Sequence, residues 1–144
     1  MKKVFLIILS IILHSCGIVN DTTEETFTYT FKLKNETGVT LEIKGGLDRL
    51  SSLVNNGNSF ECSYESPNGV DVGLCGKFIQ IKIPNSNNGY RCHGAISDVE
   101  NLCFIEDERL FTRLDGTVFT EIDTRVYEYV LTPDILDNVF VLPD

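Results

Sequence analysis

Residues 26–34 follow a strict two-residue period, and this stretch limits the chain to a small set of folds. Aromatic residues and a leucine alternate there with threonine and lysine. Because successive side chains of a strand point to opposite faces, the pattern predicts a strand with one buried and one solvated face. Residues 39–44 repeat the alternation after the turn sequence Asn-Glu-Thr-Gly at 35–38, so the two segments predict an antiparallel hairpin. The Asn-Glu-Thr triplet also fits the N-glycosylation sequon, but turn chemistry is the favoured interpretation.

Further strands are predicted along the rest of the chain, separated by turn signals. They lie at 50–54, 59–65, 78–83, 117–122 and 125–131, with one more short strand within 104–114. We expect 50–54 to pair with 59–65 and 117–122 to pair with 125–131, although the leucines of 47–54 also fit one face of a helix. Short strands at close spacing favour an all-β fold, an antiparallel β-sandwich of immunoglobulin-like or related type. A small β-barrel is the alternative.

The composition supports strands over helices. Val, Ile and Thr account for 32 of the 129 residues after position 15, where Ala95 is the single alanine. β-Branched side chains suit a pleated surface, whereas alanine is the best helix former. One short C-terminal helix is predicted, with Thr132 as its N-cap, Pro133 in its first position and Asp134 in its first turn. Its apolar side would be Ile135, Leu136, Val139 and Phe140.

Four cysteines in the domain predict two disulfides. These are Cys62, Cys75, Cys92 and Cys103. An even number of cysteines in an oxidising compartment favours disulfides, and the spacing contains no Cys-x-x-Cys pair of the kind that binds zinc. Of the three possible connectivities we expect Cys62–Cys75 and Cys92–Cys103, because sequential pairs close compact local loops. His93 beside Cys92 is interpreted as a polar neighbour, and no metal site is predicted.

The first fifteen residues predict a secretory signal peptide. Lys2 and Lys3 precede a ten-residue, largely apolar stretch that is too short to span a bilayer as a helix. The sequence Leu-His-Ser-Cys-Gly at 13–17 resembles the bacterial lipobox, in which an aliphatic residue, any residue and a small residue precede a cysteine. In lipobox proteins that cysteine is lipidated and becomes the first mature residue, so the resemblance implies palmitate-type acyl chains on Cys16. Several acyl chains on one terminus give stable anchoring.

The chain therefore divides into a signal peptide (1–15), a lipidated tether (16–25) and a β-sandwich domain (26–144). The tether is short, polar and acidic, and we expect it to be flexible. Its acidic residues resemble surface-export signals of Bacteroidetes lipoproteins. Asp-Thr-Thr at 21–23 resembles the O-glycosylation motif of the same bacteria, which would modify Thr22. A plain linker is the simpler interpretation of both matches.

Charge and missing motifs exclude several functions. Removing Lys2 and Lys3 with the signal peptide changes the formal net charge from −9 to −11, so the chain lacks the basic stripe that nucleic-acid binding requires. His93 is then the single histidine, which excludes multi-histidine metal centres. No Gly-x-Ser-x-Gly elbow or glycine-rich phosphate loop occurs. The acidic run at 106–108 is interpreted as a solvated loop. We expect neither catalysis nor a cofactor.

Three segments together resemble a known group of proteins. They are the lipobox with the strand and turn at 31–39, the paired cysteines within 90–104, and Tyr-Glu-Tyr-Val-Leu-Thr-Pro-Asp at 127–134. They resemble small secreted lipoproteins of Flavobacteria and related Bacteroidetes. The resemblance implies a β-sandwich in the bacterial cell envelope, anchored by lipid in the outer membrane on its periplasmic or surface side. We expect a binding or structural module whose partner is an envelope protein or glycan. The alternative is a lysozyme- or protease-inhibitor-like envelope protein.

Overall fold

The fold is known from a computed structural model that describes residues 25–45, 50–67, 73–74, 76–94, 102–105, 107–113 and 116–143. In this part of the chain the backbone forms nine strands and two single 3₁₀ turns. The strands are β1 (Thr26–Asn35), β2 (Leu41–Gly45), β3 (Ser51–Val54), β4 (Ser59–Pro67), β5 (Phe78–Lys82), β6 (Asn88–His93), β7 (Thr120–Asp123), β8 (Val126–Leu131) and β9 (Phe140–Val141). The 3₁₀ turns are Asp107–Leu110 and Pro133–Leu136.

The strands form two separate sheets. The first sheet has the order β4-β1-β8-β7, and the second has the order β3-β2-β5-β6-β9. Every pair is antiparallel except β1 with β8, which run parallel. Neither sheet closes on itself in the part of the chain described, so the predicted sandwich is confirmed and the barrel alternative is wrong. The predicted late hairpin is also confirmed, because β7 pairs with β8.

The core lies between the sheets and follows the predicted alternation. Tyr29, Phe31 and Leu33 of β1 are all buried. The Phe31 ring stacks on that of Tyr127, with ring centroids 5.1 Å apart, and meets the ring of Phe119 edge to face at 5.0 Å. The second sheet contributes aliphatic side chains that are 2% exposed or less: Leu41, Ile43, Ile79 and Ile81. The alternation therefore correctly predicts which face of β1, β2 and β5 is buried.

The predicted pairing of the first four strands is wrong. β1 pairs with β4 and β8, whereas β2 lies in the other sheet and pairs with β3 and β5. Because both hydrogen-bonding edges of β1 are occupied, 36–40 crosses between the sheets instead of closing a hairpin. Residues 55–58 likewise cross from β3 to β4, so the strand at 50–54 exists but does not pair with 59–65. Alternation fixes the buried face of a strand and leaves its neighbour undetermined.

The two crossing segments, 36–40 and 55–58, lie side by side and are called the double arch. The backbone N of Gly38 donates to Oδ1 of Asn56 at 2.8 Å, and Oγ1 of Thr40 donates to Oδ1 of Asn55 at 3.0 Å. The backbone N of Gly57 donates to the carbonyl oxygen of Asn35 at 2.6 Å. These bonds tie one crossing to the other, so the β1–β4 and β2–β3 pairings are fixed together.

Asn35 is the residue that fastens the double arch. Its side chain is fully buried, and its Nδ2 donates to the carbonyl oxygens of Val39 and Val54, each at 2.8 Å. Its Oδ1 accepts from the backbone N of Thr37 at 3.0 Å and from Thr37 Oγ1 at 2.7 Å. Every polar group of this amide is therefore satisfied inside the protein. The turn-chemistry interpretation of the Asn-Glu-Thr triplet is confirmed.

The predicted C-terminal helix is a single 3₁₀ turn. Pro133 begins it after an extended Thr132, as expected, but it ends at Leu136. The hydroxyl of Tyr90 donates to the carbonyl oxygen of Ile135, which holds the turn against the second sheet. The prediction that Val139 and Phe140 lie on a helix is wrong, because Phe140 belongs to β9 and pairs with β6. Instead of continuing the helix, this segment forms its backbone hydrogen bonds with the free edge of β6.

The short strand predicted within 104–114 is also wrong for the residues described there. Asp107–Leu110 forms a 3₁₀ turn, and the side chain of Leu110 is fully buried. The backbone N of Leu74 donates to the carbonyl oxygen of Leu110 at 2.9 Å, and that of Gly73 donates to Phe111 at the same distance. This loop-to-loop pairing satisfies backbone groups that a strand would have bonded in a sheet.

Candidate functional site

The predicted site residues fall into two groups. Cys16, Thr22 and Cys75 lie outside the described residues, so their predicted lipidation, O-glycosylation and disulfide bonding stay predictions. Cys62, Cys92 and Cys103 lie within the described residues. The structure joins Cys92 to Cys103, as predicted, with their Cα atoms 4.6 Å apart.

The Cys92–Cys103 disulfide fastens a segment to the edge of the second sheet. Cys92 lies on β6, 1% exposed, with Ile79 opposite it on β5. One residue before each cysteine the backbones also pair: the N of Arg91 donates to the carbonyl oxygen of Leu102 at 2.7 Å, and the reverse bond is 3.0 Å. The disulfide and these two hydrogen bonds together hold Leu102 beside β6, on the edge that β9 occupies further along.

Removing this disulfide should weaken the fold measurably. We expect a Cys92→Ala, Cys103→Ala double variant to lose about 3 kcal/mol of unfolding free energy, since the closed loop is short and the loss follows its chain entropy. Urea unfolding of the variant against the oxidised protein gives the difference. An unchanged unfolding midpoint would contradict a structural role for the bond.

Cys62 is also disulfide-bonded, and its partner lies outside the described residues. It stands on β4 opposite Phe31 and therefore faces the core side of the first sheet. The predicted Cys62–Cys75 pairing remains a prediction. Peptide mapping without reduction tests it: a peptide joining positions 62 and 75 is expected, and one joining 62 to another cysteine would contradict it.

The solvated face of the first sheet, called the first-sheet face, carries lysines that are paired with acids. Nζ of Lys32 lies 2.8 Å from a carboxylate oxygen of Glu61, and Lys34 pairs with Glu36. Glu61 and Glu128 flank Lys32 on the two neighbouring strands. The adjoining carboxylates raise the pKa of both lysines above the ordinary value, chiefly through the hydrogen bond each lysine donates. Acids therefore offset the positive charge on this face.

The solvated face of the second sheet, called the second-sheet face, has the opposite balance. Its charged and polar members include Glu42, Lys44, Gln80, Lys82 and Arg91. Among the residues that the structure describes, no carboxylate forms an ion pair with Lys44, Lys82 or Arg91. Arg91 instead donates from Nη2 to the carbonyl oxygen of Pro143 at 2.8 Å. A chain with strong negative charge thus presents three cations and one acid on a single face.

His93 lies at one end of the second-sheet face. Its ring is 5.2 Å from that of Phe78, measured between centroids, on the neighbouring strand. Burial, and then the positive charge of Arg91, lower the pKa of His93 below its ordinary value. The interpretation of this histidine as a polar neighbour of Cys92 stays a prediction.

The described residues provide neither a cluster of metal ligands nor a membrane-spanning helix. Across the described ranges, no group of three or more His, Cys, Asp or Glu side chains is placed to hold a metal ion. The same part of the chain contains no helix that is long and apolar enough to cross a membrane.

The second-sheet face is the feature that sequence reasoning missed. Its signal was present: Lys44, Lys82 and Arg91 each occupy the polar phase of a period-two strand. Their assembly depends on β2, β5 and β6 being neighbours, and that order required the structure.

Comparison with known proteins does not place the chain in a family. No protein-family model matches it, and neither a curated protein nor a solved structure matches it.

Proposed function

We propose that the protein is a lipoprotein of the bacterial cell envelope, anchored in the outer membrane through acyl chains on Cys16. The observation that carries the proposal is the position of this cysteine, directly after a short apolar stretch and a small residue. The Cys92–Cys103 disulfide supports export, because disulfides persist in oxidising compartments and are rare in the cytosol. The apolar stretch is too short for a spanning helix, which favours anchoring by lipid.

The β-sandwich is, in this proposal, a binding or structural module that performs no catalysis. The two solvated faces support this role, because they carry charged and polar side chains over a buried hydrophobic core. Rigid sheets of this kind present side chains at fixed spacing to a partner, which is an envelope component, a protein or a glycan. The tether at 16–25 keeps that module within reach of the membrane.

Metabolic labelling with an alkyne analogue of palmitate tests the anchor. We expect label on the wild-type protein and on Ser15→Ala, which keeps a small residue before the cysteine. We expect none on Cys16→Ser, which removes the acceptor thiol. An unlabelled wild-type protein, or a labelled Cys16→Ser variant, would contradict the proposal.

A further inference from the structure

We propose that the second-sheet face lies against the anionic membrane surface to which the protein is tethered. This inference rests on the proposed lipid anchor and adds an orientation to it. It assigns the second-sheet face to the membrane and leaves the first-sheet face directed towards solvent and partners.

The first argument is charge complementarity. After residue 15 the chain has a formal net charge of −11, so its average charge is repelled by anionic lipid headgroups. Lys44, Lys82 and Arg91 share one face of the second sheet, and none of them forms an ion pair with a described carboxylate. An acidic body held near a negative surface is therefore expected to turn this face towards it.

The second argument is the apolar rim of the same face. One row of paired residues crosses all five strands of the second sheet in the order Leu53, Glu42, Lys82, Gly89 and Phe140. Its two ends are apolar: Leu53 is 69% exposed, and Phe140 is 39% exposed with its ring centroid 5.8 Å from that of Tyr90. At a strand spacing of about 4.8 Å these ends are about 19 Å apart.

Cations flanked by exposed apolar side chains are the pattern of a surface that binds at the headgroup boundary. The cations attract anionic lipid, and the apolar side chains enter the interface. A soluble polyanion would bind the cations, but Leu53 and Phe140 would add nothing to its affinity. The rim therefore favours a lipid surface over an acidic polysaccharide.

The third argument is reach. The ten residues from Cys16 to Glu25 can extend to about 36 Å at most by covalent geometry. The surface potential of a membrane decays over a Debye length, which is about 8 Å at physiological salt. A tether of this length lets the sandwich enter that zone and rotate within it before docking.

Lysine footprinting of the mature lipoprotein tests the orientation. The protein, extracted in detergent, is reconstituted into vesicles of phosphatidylcholine alone or of an equal mixture with phosphatidylglycerol. A water-soluble amine-acylating reagent then reports on Lys44 and Lys82 of the second-sheet face. Lys32 and Lys34 of the first-sheet face are internal controls in the same sample.

We expect Lys44 and Lys82 to be acylated about fivefold more slowly on the anionic vesicles than on vesicles of phosphatidylcholine alone. A change of this size is what the attraction of about one surface cation to anionic lipid produces. The rates at Lys32 and Lys34 should not change, and high salt should abolish the difference. Leu53→Glu, which places a negative charge in the rim, should also abolish it. The matched variant Ile122→Glu, at a 52% exposed position on the edge of the first sheet, should preserve it.

Four results would overturn the inference. One is that each of the four lysines is acylated at the same rate on both kinds of vesicle. Another is that Lys32 and Lys34, instead of Lys44 and Lys82, are acylated more slowly on the anionic vesicles. Slowing by soluble alginate but not by anionic vesicles would assign the face to an acidic polysaccharide. If the protein fails to float with either kind of vesicle, the lipid anchor of the proposed function is wrong and this inference falls with it. Flotation with equal rates overturns the orientation alone.

Discussion

Replacing Asn35 with aspartate is expected to destabilise the protein by at least about 3 kcal/mol, because it removes two buried donors and buries a charge. The amide Nδ2 donates hydrogen bonds to the carbonyl oxygens of both Val39 and Val54. An ionised carboxylate of the same shape would face both oxygens with no hydrogen to donate. Since these bonds hold the double arch, the loss acts on both crossings between the sheets. Equilibrium unfolding in urea, followed by far-ultraviolet circular dichroism, measures it.

Asn56→Asp is the matched control on the same double arch. Asn56 is exposed, and its Oδ1 accepts from the backbone N of Gly38. A carboxylate accepts that hydrogen bond equally well, so we expect a change within about 0.5 kcal/mol. If the two variants lose the same stability, the buried donors of Asn35 are not what holds the arch.

Phe31→Ala is expected to cost between about 3 and 5 kcal/mol, the range for deleting a fully buried aromatic side chain. Phe31 is 0% exposed at the centre of the first sheet and lies against the rings of Tyr64, Phe119 and Tyr127. Three neighbouring rings cannot all move into the space, so a cavity remains. The urea midpoint should fall accordingly.

Phe78→Ala provides the comparison for that core deletion. Phe78 is half-buried on the solvated side of β5, where its ring contacts His93. Its removal leaves no enclosed cavity, so we expect a loss of about 1 kcal/mol. A loss as large as that of Phe31→Ala would mean that the core is not centred between the two sheets.

The sequence predicts the strands of this fold better than it predicts their neighbours. Period two places the side chains of Tyr29, Phe31 and Leu33 on one face of β1 regardless of which strands lie beside it. The predicted hairpin of β1 with β2 is wrong because Asn35 and the turn after it are compatible with either a hairpin or a crossing between sheets. The crossing prevails since β4 and β8 occupy both edges of β1.

Local constraints were predicted more reliably than distant ones. The Cys92–Cys103 bond closes a short loop, and its pairing was predicted correctly. Thr132 and Pro133 correctly mark the start of a helical turn, but its length depends on Tyr90, which is distant in sequence, and on the free edge of β6. The sequence does not reveal the cations of the second-sheet face for the same reason, since only the order of the strands places Lys44 and Arg91 on one face.

The intact mass of the native protein, extracted from the bacterial envelope, tests the central claim of a lipid-anchored, disulfide-bonded module most directly. The account predicts a chain that begins at Cys16 and carries acyl chains. Alkylation should add nothing before reduction and four groups after it, at Cys62, Cys75, Cys92 and Cys103. A mass without acyl chains, or a chain beginning at any other residue, would contradict the account.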